Sequence, residues 1–99
     1  MTAVTRDIII QNSLGLHARP AMQFVDVANQ FQASITVYKE ASADGSSEAA
    51  TVDGKSVMQM ITLEGTQGTV LRIEAEGDDA EEAVEQLARL VENKFGEED

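Results

Sequence analysis

His17 is the only histidine of the sequence and Pro20 its only proline; they stand three residues apart in LGLHARPAMQF, with Arg19 between them. Imidazole is a side chain whose neutral, nucleophilic form is well populated near pH 7. Just beyond it, Ala21, Phe24, Val25, Ala28 and Phe31 recur at intervals of three and four, which is the apolar stripe of a helix. A proline is tolerated in a helix only within the first turn, so this helix starts at about His17 or Ala18. A ring placed there meets two demands in sequence. Before reaction, the positive end of the helix dipole disfavours imidazolium and favours the neutral nucleophile. After phosphoryl transfer, the first-turn amides and the Arg19 guanidinium can hold the phosphate oxygens. Pro20 fixes φ there without withdrawing an amide that the helix needs. The same residues also suit a plain helix cap beside a solvated arginine, and this stretch alone leaves both readings open.

No other constellation competes with it. One histidine, no cysteine and no convergent carboxylate cluster leave a metal site and a Ser-His-Asp triad without their parts. Neither a metal nor a cofactor is expected, and His17 would act as a lone nucleophile. A second candidate is Ser56, which opens SVMQ ahead of another apolar run and fits a capping box with Gln59. On these residues alone Ser56 is read as a helix N-cap.

These residues need elements to hold them. A strand is expected over 4–11, with Ile8 and Ile10 on one face, then a loop over 12–16 turning at Gly15. After the first helix come a strand over 34–39, a long polar loop over 40–50 and a short return strand over 50–52. The Ser56 helix would bury Val57, Met60 and Ile61. Residues 69–76 alternate as a strand, and Asp78-x-x-Glu81 starts a last helix burying Ala80, Ala83, Val84, Leu87, Leu90 and Val91. Lys94 and Gly96 mark its end. The order is βαββαβα. With all apolar stripes turned one way, it predicts an α+β two-layer sandwich. The chain has the size of one domain over 1–99, with 40–50 an extended hairpin loop and 96–99 an acidic tail.

Seven basic against eighteen acidic residues leave a formal charge of −11. That field argues against nucleic acid or an anionic membrane as partner. No apolar run approaches the ~18 residues of a membrane span, and 1–7 lacks the apolar core of a signal peptide. A cytoplasmic monomer is the expectation.

GLHARPA, residues 15–21, resembles the active-site motif of the histidine-containing phosphocarrier (HPr) family of the phosphoenolpyruvate-dependent sugar phosphotransferase system. GKSVM, 54–58, resembles the family's second motif, and LEGTQGT followed by AEGDDAEEAVEQL resembles its C-terminal third. The likeness runs over about 5–94. It implies an open-faced sandwich, a four-stranded antiparallel sheet covered on one face by three helices. It implies that His17 takes a phosphoryl group on Nδ1 from phosphorylated enzyme I and passes it to IIA components of sugar permeases, with Arg19 stabilising the phosphate. It implies a carrier rather than a free-standing enzyme, and regulation at Ser56 by HPr kinase/phosphorylase; Ala18, Pro20, Met58 and Gln59 are the expected docking residues. Two departures bear on partners: the 40–50 loop is longer than the usual tight hairpin, and Gln59 stands where many members have glycine or lysine. A regulatory paralogue of the nitrogen-related or permease-less branch is the alternative. A purely binding domain would not need His17 beside Arg19.

Overall fold

The computed structural model describes residues 3–41, 44–45, 48–63 and 65–96. The acidic residues at 97–99 and the loop serines 42, 46 and 47 lie outside them. Its elements are β1 (Ala3–Ile9), α1 (Ala18–Ala28), β2 (Ser34–Lys39), β3 (Ala50–Asp53), α2 (Val57–Thr62), β4 (Val70–Glu76) and α3 (Ala80–Glu92), closed by a 3-10 turn at Lys94–Gly96. This is the expected βαββαβα order.

The strands form one antiparallel sheet in the order β1-β4-β2-β3. Register follows the apolar alternation. Ile8 faces Leu71, Val37 faces both Ile73 and Val52, and Ile35 faces Ala75. All of these are buried on the same side, because a one-residue slip would turn each of them to water. The helices lie on that side. Pro20, Ala21, Phe24, Val25 and Ala28 point inward from α1, and Ala80, Ala83, Val84, Leu87, Ala88 and Val91 from α3. The opposite face carries Thr5, Asp7, Arg72, Glu74, Tyr38 and Thr51 and stays open. Burying each large aliphatic or aromatic side chain stabilises the sandwich by about 1.5–3 kcal/mol.

Several local expectations are corrected. The first strand ends at Ile9, yet Ile10 remains buried, its amide donating to the Thr69 carbonyl at 3.0 Å and its carbonyl accepting from Gly68 at 2.8 Å. In α2, Ile61 is exposed and Leu63, the C-cap residue, is buried instead. Ile61 lies within the helix but off the inward line of Val57, Met60 and Leu63, which recur every three residues. The last helix is preceded by Asp79, not Asp78, and Asp79 does not cap it. Its carboxylate instead accepts from the Gln32 and Ala33 amides, both at 2.9 Å, and ties α3 to the α1–β2 turn. Ala88 replaces Leu90 in the fully buried stripe, with Leu90 packed at its margin.

Candidate functional site

The loop entering α1 is held by backbone from two sides. The Gly15 amide donates to the Asn12 carbonyl at 3.1 Å, and the Asn12 side-chain amide donates to the Gly15 carbonyl at 2.8 Å. Gly15 has φ +70, and a Cβ there would fall on the Gly65 carbonyl oxygen. Only glycine satisfies both conditions. That same Gly65 carbonyl accepts from the Leu16 amide at 2.7 Å, so the residue before His17 is pinned to the segment after α2.

His17 is the N-cap residue of α1, extended at φ −82 and ψ −172, and half-buried. Its ring does not cap the helix, so the plain capping reading loses its geometric basis. Its carbonyl accepts from the Ala21 amide at 3.0 Å, the first bond of the helix. The amides of Ala18 and Arg19 precede that bond and have no acceptor within the helix, while Pro20 at the third position has no amide to leave unpaired. Arg19 is exposed and enters none of the ion pairs found among the described residues. Two first-turn amides, an exposed guanidinium and a half-buried imidazole therefore share one helix end. Such a set can accept a phosphoryl group at the ring and stabilise the resulting anion.

Ser56 is the N-cap of α2, and its hydroxyl accepts from the Gln59 amide at 3.3 Å. The expected reciprocal half of the capping box is absent. The Gln59 side chain reaches past Ser56 and accepts from the Asp53 amide at 2.9 Å. The Ser56 amide donates instead to the Asp53 carbonyl at 3.1 Å.

The two motifs lie at opposite ends of α2. Lys55, beside Ser56, donates to the Phe31 carbonyl beyond the C-terminal end of α1 at 2.7 Å. The other end of α2 leads to Gly65, which holds Leu16 at the start of α1. The helices thus run antiparallel, and Ser56 is separated from the Leu63 end of α2 by about 10 Å of helix rise. Between them α2 presents Met58, 77% exposed, together with Gln59. Ala18 is exposed as well, but Pro20 is fully buried, which removes it from the expected docking set. Two outward apolar residues were not singled out in the sequence, Leu14 at 73% and Met22 at 53% exposure. Their signal is that both fall off any period: Leu14 sits in a loop, and Met22 lies beside the Ala21–Phe24–Val25 stripe. The groove of about 560 Å³ on the open sheet face, lined by Tyr38, Arg72 and Glu74 among others, contains none of these residues.

The family model described as PTS HPr component phosphorylation site matches residues 4–93. Phosphocarrier protein HPr of Haemophilus influenzae is 44% identical over 87 residues, 88% of this chain and 93% of its own. Phosphocarrier protein NPr of Proteus mirabilis is 37% identical, over 93% of this chain and 94% of its own. The crystal structure of HPr from Thermoanaerobacter tengcongensis superposes with a TM-score of 0.81 at 45% identity, covering 99% of each chain.

Proposed function

The chain belongs to the HPr family of phosphocarrier proteins, and from that premise we propose that His17 carries the phosphoryl group. In this reading the Nδ1 lone pair of the neutral ring attacks the phosphorus held by phosphorylated enzyme I. The new N–P bond forms as the bond to the donor breaks, and the ring's other nitrogen keeps its proton. Arg19 and the Ala18 and Arg19 amides balance the phosphate charge. A IIA component of a sugar permease then takes the group by the same step in reverse sense. Each step needs a partner's reacting group, so the protein is a carrier and not an enzyme by itself, and it works in the cytoplasm. Among the described residues no helix is long and apolar enough to cross a membrane.

The observation that carries the reading is His17 at the N-cap of α1 with its ring uncommitted to capping and Arg19 two residues on. Incubation with enzyme I and labelled phosphoenolpyruvate should give acid-labile, base-stable label on the wild type and none on His17→Ala. Absence of label with enzymes I from several sources would sink the carrier reading.

Ser56 is the regulatory residue in this account. Phosphate there would sit at the positive end of α2, beside Met58 and Gln59, and would add charge to an otherwise weakly charged outward surface. It would act on docking, since α2 keeps it away from His17. HPr kinase with ATP should label the wild type and not Ser56→Ala. The similarity to NPr of Proteus mirabilis favours one second reading, a regulatory paralogue. Transfer from phosphorylated protein to sugar-permease IIA domains supports sugar uptake, whereas transfer only to a lone, permease-free IIA protein supports regulation.

A further inference from the structure

Lys39 is the one charged residue buried among those described, 6% exposed, at the end of β2. Taking an ammonium out of water is costly unless it is hydrogen-bonded, and a methionine would fill the space without that cost. The charge therefore calls for a role. Its Nζ donates at 2.6 Å to the carbonyl of Leu63, the C-cap residue of α2. That end of a helix has carbonyls without partners and carries the negative pole of the dipole, so a cation is well placed there. The helix has six residues, well below the length at which helices stand alone, and its ends must be held. Ser56 and Gln59 hold the first end, and Lys39 holds the last.

What the last end supports is the entry to α1. Two residues beyond Leu63, the Gly65 carbonyl accepts from the Leu16 amide at 2.7 Å and packs where a Cβ on Gly15 would be. His17 follows Leu16 directly. We infer that Lys39 is a positioning residue for phosphoryl transfer: its ammonium fixes the Leu63 end of α2, thereby the Gly65 carbonyl, and through the bond to Leu16 the placement of the His17 ring. The inference rests on the carrier reading of His17 for its kinetic consequence, but not for its structural one.

The variant Lys39→Met removes the charge and the donor while keeping length and apolar volume, and Lys39→Gln keeps a donor without charge should the methionine variant fold poorly. The chain has no cysteine, so Lys39→Cys alkylated with 2-bromoethylamine under denaturing conditions and refolded restores an ammonium at that one site. Loosening a reacting group typically costs one or two orders of magnitude, so kcat for transfer from phosphorylated enzyme I should fall about tenfold in Lys39→Met. KM should stay unchanged, because Ala18, Met58 and Gln59 are untouched, and aminoethylation should restore kcat. Amide exchange at Leu16 should quicken more than exchange in β4. Equal quickening at Leu16 and β4, an unchanged kcat, or a loss not recovered by the ammonium would each overturn the inference. The two readings fail separately. A wild type that takes no label from enzyme I defeats the carrier reading, while the Leu16 exchange result decides the anchoring by Lys39 in either case.

Discussion

At the scale of single residues, the site depends on positions with little chemistry of their own. Gly15 must adopt φ +70 with the Gly65 carbonyl against its Cα, so Gly15→Ala should lower stability by about 1–3 kcal/mol, read as a shift in the urea midpoint. Arg19 should matter to transfer and hardly to folding, because it is exposed and outside the ion pairs of the described residues. Arg19→Ala should reduce kcat/KM by roughly 100-fold, the usual effect of deleting one preorganised anion-stabilising donor. Arg19→Lys should recover part of that, since it keeps the charge but loses the two-pronged geometry. The places of His17, Arg19 and Pro20 at the start of α1 and of Ser56 at the N-cap of α2 were legible in the sequence, because each is set by its immediate neighbours. Lys39 was not legible. Alternation with Ile35 and Val37 puts it on the inner face of β2, but its partner Leu63 is 24 residues away and nothing in the sequence marks that pairing.

Among the elements, β2 and α1 could be read nearly to the residue, because their periods are clean and Pro20 fixes where α1 starts. The sequence places the start of α3 at Asp78, whereas the helix begins at Ala80 behind Asp79. An acid ahead of a helix reads as a cap, but Asp79 spends its carboxylate on the Gln32 and Ala33 amides, 47 and 46 residues away. The Gln32 amide, against an opposing effect of burial and with help from the Ala33 amide and the nearby Lys55, holds the Asp79 carboxyl below its ordinary range. A carboxyl lowered in the folded state adds stability that is complete above its unfolded value, near 4, and is lost as pH falls through the folded value. Asp79→Asn should thus melt below the wild type at pH 7, and the gap should close as the pH is lowered beneath about 4. A constant gap from pH 7 to pH 2 would contradict this account of the clamp.

Over the whole molecule, charge is distributed unevenly. The exposed acids of α3 and of the open sheet face, Glu81, Glu82 and Glu85 on one and Asp7 and Glu76 on the other, lie away from the outward surface of α2, which has no charged residue at all. With a net charge of −11, self-repulsion opposes the compact state, and added salt should raise the melting temperature as it screens these groups. A melting temperature independent of salt from 10 mM to about 0.5 M would contradict that. Phosphoryl transfer to His17 involves the molecule together with its donor, and ring-selective 15N NMR observes it at the atom concerned. The protein, labelled at its single histidine, is treated with enzyme I and phosphoenolpyruvate. The Nδ1 resonance of His17 should shift and couple to 31P, and both changes should disappear on mild acid treatment. Unchanged ring resonances, or phosphorus found only on another residue, would contradict transfer to His17.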